Sequence, residues 1–209
     1  WVPSLRLPDV ITEAGKTTDY AYDADGRMTS VTVTDTNTSE TRTTTYTYWS
    51  NSTGSGGQTI LGRLKEIDGP RTDVTDKTTF TYDSDFRLIK TEDALGHETE
   101  TTAFDAADRP LTVEDENDVE TDMTYDTLGR LLTHTRAPGT ALEAVTTFTY
   151  NDVGDVETIE SPNGTTVTYS YDNARRLTGM EDDLGNTITY TLDDAGNILT
   201  EERRDPGNT

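Results

Sequence analysis

The segment from Tyr169 to Asp193 decides the fold, because it holds one complete copy of a unit that recurs along the chain. It reads YSYDNARRLTGMEDDLGNTITYTLD. The segment opens with two aromatic residues one position apart, passes through a polar turn into an Arg-Leu pair, and continues as a strand. A second turn at Asp183-Leu-Gly-Asn leads into a Thr-rich strand that ends on the next large residue and Asp. The unit is therefore a β-hairpin, and its repetition is the main feature that the fold must satisfy.

The repeats stay in register when they are counted from an anchor, which we define as the second residue of the aromatic pair. The anchors are Tyr22, Tyr48, Tyr82, Phe104, Tyr125, Tyr150, Tyr171 and Leu192. Successive anchors are 26, 34, 22, 21, 25, 21 and 21 residues apart, so the basic period is 21 with insertions. An Asp or Asn follows most anchors directly. Gly, Arg and an apolar residue come four, five and six positions after the anchor, and a second Gly comes fourteen after it.

These positions are predicted to be structural rather than catalytic. Besides the tyrosine anchors, the residues that keep register are Asp23, Gly26, Arg27, Asp83, Arg87, Leu88, Asp126, Gly129, Arg130, Leu131, Gly154, Asp172, Arg176, Leu177, Gly185 and Gly196. In the Asp-x-x-Gly-Arg turns, the Asp carboxylate can accept a backbone N–H and the Gly can adopt positive φ. The pieces around Asp23 and Asp83 also resemble parts of calcium loops, but they lack the full ligand series. Turn chemistry explains them better, and weak cation binding along the acidic turns stays open.

Large residues alternate with Thr or Ser along the predicted strands, as in Phe80-Thr-Tyr and Phe148-Thr-Tyr. This alternation places aromatic and aliphatic rows on one face of a sheet and hydroxyls on the other. The tyrosine hydroxyls need partners, and we expect the Arg and Asp residues at the repeat positions to supply them. No apolar pattern of period 3.6 is sustained, so no substantial helix is expected.

The predicted fold class is all-β, with tandem β-hairpin repeats forming a long curved antiparallel sheet. About eight hairpins give roughly 16 strands, and twisted open sheets of more than about ten strands curl or split. A spiral or barrel-like shell is therefore expected.

The chain divides by repeat phase into three parts. Residues 1–18 are out of phase and are predicted to be a lead-in segment or edge strand, residues 19–204 form the repeat array, and residues 205–209 form a tail. An insertion at 49–61, rich in Gly and Ser, interrupts one repeat. It is interpreted as a flexible surface loop or as a binding loop, and Trp49 supports the second interpretation. Because the chain starts without an initiator Met or signal peptide, we expect an internal piece of a longer protein.

The charge balance limits the classes of partner. Seventeen basic residues against 40 acidic ones give a net charge of −23, which argues against binding of nucleic acid or of an anionic membrane surface. No apolar run of about 18 residues is present, so no membrane span is expected. Lys is scarce whereas Asp and Glu are abundant. This composition fits the hypothesis that the protein is adapted to high salt, which would screen the repulsion between its charges.

No motif in the sequence carries an enzymatic chemistry. The two histidines, His97 and His134, fall in a predicted turn and a predicted strand, and nothing places them together for a metal. Nucleophile-elbow, P-loop and dinucleotide fingerprints are missing. We therefore predict no catalytic, cofactor-binding or metal-binding residue and no enzyme activity. Asn37, Asn51 and Asn163 stand in glycosylation acceptor motifs within predicted turns or loops.

Three units resemble the YD-repeat (RHS-repeat) family, and two of them match its signature Y-D-x-x-G-R-L almost letter for letter. They are YDADGRM from Tyr22, YDTLGRL from Tyr125 and YDNARRL from Tyr171, and the resemblance extends over residues 19–204. The family includes the shells of bacterial polymorphic and insecticidal toxins, wall-associated bacterial proteins and the animal teneurins. The resemblance implies a β-sheet that spirals into a hollow shell. In toxin members the shell encloses a C-terminal toxic domain, and in teneurins it is a rigid extracellular scaffold.

Two hypotheses of function follow. The first is a non-enzymatic structural segment of a secreted or cell-surface YD/RHS-repeat protein, which forms a shell, stalk or filament. Its partners would be other segments of the same polypeptide, further copies of the chain or an enclosed C-terminal toxin domain. The second is an adhesion or carbohydrate-binding module that uses exposed aromatics or the 49–61 loop. Buried aromatic rows favour the first hypothesis, and exposed rows favour the second.

Overall fold

The computed structural model describes residues 7–50 and 62–207, which form 17 β-strands and no helix. The strands are β1 Val10–Glu13, β2 Lys16–Tyr22, β3 Met28–Asp35, β4 Thr41–Tyr48, β5 Leu64–Asp68, β6 Lys77–Tyr82, β7 Leu88–Glu92, β8 Glu98–Phe104, β9 Pro110–Glu114, β10 Glu120–Tyr125, β11 Leu131–Arg136, β12 Ala144–Tyr150, β13 Val156–Glu160, β14 Thr166–Tyr171, β15 Leu177–Asp182, β16 Thr187–Leu192 and β17 Ile198–Arg204. The predicted all-β class and the array of tandem antiparallel hairpins are confirmed.

The strands fall into two compact units. The first comprises the chain up to Thr102 together with Ala106–Asp108 and Glu114–Asn117, and the second comprises the remaining residues up to the C-terminus. In the first unit β1 to β8 pair consecutively and antiparallel. In the second unit β10 to β17 do the same. Each unit is thus a meander of hairpins.

A β-bulge accompanies the anchor in the hairpins. In the β2–β3 hairpin, Ala21 pairs with Ser30 whereas Tyr22 pairs with Met28, which leaves Thr29 without an opposite residue. The turn before the bulge ends on Gly26 at φ 81°, and such a left-handed residue after a tight turn is typical of a hairpin with this bulge. The same register shift precedes the anchors of β4, β6, β10, β12, β14 and β16. The turn chemistry therefore gives these repeats a common corner geometry.

The two faces of the sheet differ as the alternating pattern predicts. Phe80 and Tyr82 are half-buried whereas Thr81 between them is exposed, and Phe148, Thr149 and Tyr150 repeat this arrangement. The large side chains share a face because successive side chains of a strand point to opposite sides.

Within each unit, the contacts between the described strands join strands that are adjacent in the sheet. Of the residues that the structure describes, only Thr18 and Gly179 are fully buried. The aromatic rows are half-buried by their lateral neighbours rather than enclosed in a core. A hydrophobic content of 31% is therefore enough for this fold.

The predicted lead-in contains β1 and the start of β2. The insertion lies largely outside the described residues, as do residues 1–6 and 208–209. The base of the interrupted hairpin is nevertheless closed, because Trp49 N–H donates to the Arg63 carbonyl and Gly62 N–H donates to the Trp49 carbonyl, both at 2.9 Å. In the described parts of the chain there is no helix with the length and apolarity needed to cross a membrane.

Candidate functional site

The Asp that follows an anchor fixes both the turn and the Arg at its end. Asp126 Oδ1 accepts the backbone N–H groups of Leu128 and Arg130 at 2.8 and 2.9 Å. Its other oxygen, Oδ2, accepts the side-chain Nε–H of Arg130 at 2.6 Å. Asp–Arg pairs of the same geometry are Asp23–Arg27, Asp83–Arg87, Asp105–Arg109 and Asp172–Arg176. The carboxylate thus holds the guanidinium in one direction.

These contacts favour the charged form of the carboxylates. The backbone N–H of Arg130, and then its side chain, hold the pKa of Asp126 below the usual value. At Asp172, the backbone N–H of Arg176 is again the largest cause of a lowered pKa. Where Asn197 replaces the Arg, its side-chain amide is the main cause of the lowered pKa of Asp193. Hydrogen bonds to an ionised carboxylate lower its pKa because they are lost on protonation.

The oriented Arg lies over the anchor ring of the next repeat. The guanidinium carbon of Arg130 is 4.4 Å from the ring centroid of Tyr150. The corresponding distances are 4.6 Å for Arg109 over Tyr125 and 5.1 Å for Arg27 over Tyr48. All three distances lie within the range of a cation–π interaction.

The hydroxyl of the anchor tyrosine completes the contact between repeats. Tyr150 donates to the carbonyl of Leu131 at 2.8 Å, and Tyr48 donates to that of Met28 at 2.7 Å. Tyr125 donates to the carbonyl of Pro110 at 3.0 Å. At these anchors the prediction that Arg or Asp would be the hydroxyl partner is wrong. The guanidinium lies over the ring face, and the hydroxyl reaches the backbone of the preceding repeat.

We call this arrangement the repeat clasp: an Asp, the Arg that it holds, and the anchor tyrosine of the next repeat with its bonded carbonyl. The clasp joins neighbouring hairpins through side-chain contacts, and it is complete at Tyr48, Tyr125 and Tyr150. Burial raises the pKa of Tyr48 in the clasp, so its hydroxyl stays protonated as a donor. The cation–π contact and the tyrosine hydrogen bond of the clasp therefore hold neighbouring repeats together.

Hydroxyl pairs bridge strands on the opposite face. The side-chain oxygens of Thr124 and Thr133 are 2.6 Å apart, and those of Thr149 and Thr158 are 2.7 Å apart. A third pair joins Thr32 to Thr43 at 2.9 Å. The sequence pattern indicated a hydroxyl face but not these pairs, which depend on the strand register.

Trp49, the support for a binding loop, is engaged within the sheet. Its indole Nε1–H donates to the carbonyl of Phe80 at 3.2 Å, and the Lys65 ammonium lies 5.2 Å from the ring centroid. The part of the insertion that would form the loop lies outside the described residues.

The histidines serve separate local contacts. His97 Nδ1 lies 2.9 Å from Asp93 Oδ2, and that hydrogen bond raises the pKa of His97. His134 lies in β11 opposite Met123. Among the described residues, no group of three or more acidic or histidine side chains is placed to hold a metal ion. Of the glycosylation motifs, Asn37 and Asn163 lie in turns, and Asn51 lies outside the described residues.

A groove of about 1190 Å³ runs along the C-terminal end of the second unit. Val167, Met180 and Ile188 contribute its apolar lining, and Arg203 contributes a charged side. Arg203 Nε donates to Glu201 Oε1 at 2.6 Å, so this charge is already paired. The neighbouring strand β17 is exposed along its whole length.

The family of the chain follows from a match over most of its length. The teneurin YD-shell family model matches residues 57–200, and the RHS repeat model matches residues 9–38. The chain belongs to the teneurin YD-shell family. No protein of curated function matches this YD-shell chain significantly in sequence.

Solved structures share the YD-shell fold at low sequence identity. A crystal structure of TcdB2-TccC3 without its hypervariable C-terminal region is 18% identical, covers 94% of this chain and has a TM-score of 0.73. The Photorhabdus luminescens Tc holotoxin pore with a TccC3 mutation is 16% identical, covers 96% and has a TM-score of 0.51. This chain spans only 11% and 14% of the length of those two chains. At these identities the likeness establishes the fold alone.

The repeat positions of the YD-shell chain separate into two groups in the structure. One group makes side-chain contacts. Asp23–Arg27 and Asp126–Arg130 belong to clasps with Tyr48 and Tyr150, whereas Asp83–Arg87 and Asp172–Arg176 make the same contact within the turn. The other group is set by backbone conformation. Gly26, Gly129, Gly154, Gly185 and Gly196 all have positive φ. Leu88, Leu131 and Leu177 pair directly with their anchors across the hairpin.

Proposed function

We propose that this chain is a non-enzymatic structural segment of a secreted or cell-surface YD-repeat protein. In that protein it forms part of a β-sheet shell, stalk or filament that encloses or displays other domains. The repeat clasp is the observation that carries this proposal. The side chains that recur from repeat to repeat, and that could otherwise serve chemistry or ligand binding, are used to join one hairpin to the next.

The proposed partners are other segments of the same polypeptide, further copies of the chain, or a C-terminal domain that the shell encloses. Two features support them. The aromatic face of each unit is only half-buried, which leaves apolar surface for a neighbour to cover. One solved relative is described as lacking a hypervariable C-terminal region, so that protein has a variable C-terminal part beside its shared fold.

The half-exposed aromatic face also favours a second candidate, an adhesion or carbohydrate-binding module. Aromatic side chains that remain partly exposed to solvent are common in recognition surfaces. Trp49 does not add to this candidate, because its N–H is donated to the backbone of β6.

Two measurements on the purified chain test the proposal. Negative-stain electron microscopy at low and molar salt is expected to show sheet-like fragments, tubes or filaments. Titration with soluble oligosaccharides is expected to leave the emission of Trp49 unchanged in a Trp1→Phe variant, where it is the remaining tryptophan. A saturable shift of that emission, with compact particles in the images, would replace the structural role with the binding role.

A further inference from the structure

A second contact joins neighbouring repeats, both at junctions with a clasp and at junctions without one. It joins the residue five positions after one anchor to the residue four positions after the next anchor, and we call these two residues the junction pair. In the repeat with the insertion, Gly62 and Arg63 take these positions, because they close that turn as Gly26 and Arg27 close theirs.

Two junction pairs are ion pairs of opposite polarity. Arg87 Nη1 lies 3.0 Å from Asp108 Oδ1, with the Arg on the earlier repeat. In the other pair the Asp is on the earlier repeat, and Arg175 Nε lies 3.0 Å from Asp155 Oδ1. The charges are exchanged between the same two positions.

The remaining described junctions use two other kinds of contact. Arg63 lies 5.7 Å from the ring centroid of Phe86, within range of a cation–π interaction. Elsewhere an Arg meets a Gly, and a Cβ on Gly129 would lie only 2.7 Å from Arg109 Nη1. The Arg–Gly pairs are Arg27–Gly62, Arg109–Gly129, Arg130–Gly154 and Arg176–Gly196.

The residues other than glycine at the later position of the pair adopt an unfavourable backbone conformation. The later position of the pair is left-handed in the turn, and glycine adopts that conformation most readily. Phe86, Asp108 and Arg175 nevertheless occupy it, with φ values of 66°, 60° and 64°. Each of the three side chains contacts the earlier member of its own junction pair. The strain at these turns therefore coincides with a contact that glycine could not make.

We propose that the junction pair is a recognition code, in which the two ion pairs of opposite polarity let a repeat select the repeat that follows it. Repeats with the same pattern can pair out of order or slip by one period, which is a general hazard of repeated strands. An Asp at position 155 accepts Arg175 but repels Asp108, and Arg87 accepts Asp108 but repels Arg175. The partner that this surface fits is thus a neighbouring repeat of complementary charge or size. The code rests on the proposed structural role in one respect: both require that the repeats pack side by side.

A charge-exchange cycle in the full chain tests the code. The variants are Asp155→Arg, Arg175→Asp and the double exchange, which reproduces the polarity of Arg87–Asp108. Each single variant is expected to lower the folding equilibrium constant by about three- to tenfold, since like charges then face each other across a partly exposed site. The double variant is expected to recover most of that loss in urea unfolding. The backbone amides of β13 to β15 should lose protection from hydrogen exchange in the single variants and regain it in the double variant.

Two controls make the outcome decisive. Asp152→Arg changes the net charge as Asp155→Arg does, at an exposed turn position outside the pair. The combination Asp155→Arg with Arg175→Gly reproduces the Arg130–Gly154 junction, so it shows that position 155 accepts Arg in a folded chain. If the double exchange loses as much free energy of unfolding as the two single variants lose together, the code is wrong. That result would leave the structural role standing, because particle shape and oligosaccharide binding are measured independently.

Discussion

The hydroxyl of Tyr150 donates to the main-chain carbonyl of Leu131 at 2.8 Å, so an anchor side chain of one repeat is bonded to the backbone of the preceding one. Because Arg130 covers the ring of the same tyrosine at 4.4 Å, one side chain carries two contacts across one junction. The stability of the array should therefore depend on junctions between neighbours, as in other repeat proteins.

Removing the hydroxyl and removing the ring should have separable effects. We expect Tyr150→Phe to reduce the free energy of unfolding by about 1 kcal/mol, since one net hydrogen bond is lost. Tyr150→Ala should cost about 2 kcal/mol, less than a fully enclosed aromatic, because the ring is half-buried. Urea unfolding followed by circular dichroism measures both. Thr168→Ala, at an exposed strand position, is the control. Equal costs at Tyr150 and Thr168 would contradict the clasp.

The geometry of the guanidinium should matter beyond its charge. Arg130→Lys keeps a cation but loses the planar group that bonds Asp126 and covers Tyr150. We expect the folding equilibrium constant to fall about two- to fivefold, in line with a loss of cation–π contact. The same change at Arg203, which pairs with Glu201 on the exposed strand β17, is the matched control and should have little effect. Equal stability of the Arg130→Lys variant and the native chain, measured in urea, would mean that charge alone is sufficient.

Acid should weaken the clasp through the carboxylates that close the turns. The pKa of Asp126 is lower in the folded chain than its unfolded value of about 4, so its ionised form stabilises the fold above that pH. This contribution is lost as the pH falls from about 4 through the folded pKa. Asp126→Asn keeps the turn, since Asn151 accepts the equivalent backbone N–H groups with its side-chain oxygen.

The pH profile of this variant gives the test. We expect the urea midpoint of Asp126→Asn to lie below that of the native chain at pH 7, and the difference to shrink as the pH falls below about 4. Asp152→Asn removes an equal charge at an exposed turn position and controls for net charge. A difference that stays constant from pH 7 to pH 2.5 would show that the carboxylate charge has no part in the clasp.

The repeat pattern was sufficient to predict the strands, the turns and the two faces, because these depend on local chemistry and a period of two. The partner of the tyrosine hydroxyls was predicted wrongly, since it depends on which carbonyl of the preceding repeat lies beside the ring. The half-burial of rings such as those of Phe80 and Tyr150 could not be predicted either, because it depends on how the side chains of adjacent strands cover one another. For Trp49 a signal was available. It follows Tyr48 as Asp23 follows Tyr22, so it stands at the turn-closing position.

The net charge of −23 should make stability depend on salt. Self-repulsion opposes the compact state, and the screening length falls from about 10 Å at 0.1 M to about 3 Å at 1 M salt. We expect the thermal midpoint to rise between 0.01 and 1 M sodium chloride. The clasp ion pairs weaken with salt, but they are few beside the excess of 40 acidic over 17 basic residues. A midpoint that stays flat or falls would remove the hypothesis of adaptation to high salt.

The turn glycines should separate conformational strain from contact with the preceding repeat. Gly129 and Gly164 share a φ of 86°, but a Cβ on Gly129 would lie 2.7 Å from Arg109 Nη1, whereas a Cβ on Gly164 would meet nothing within 4 Å. Gly164→Ala should therefore cost about 1 kcal/mol, the price of a left-handed alanine. Gly129→Ala should cost about 1 kcal/mol more, because the Arg109 guanidinium must move away from its position over Tyr125. In an Arg109→Ala background the two substitutions should cost the same in urea unfolding, since the obstructing side chain is gone. An excess cost at Gly129 that persists in that background would mean that the glycine is required by its own turn and not by the repeat before it.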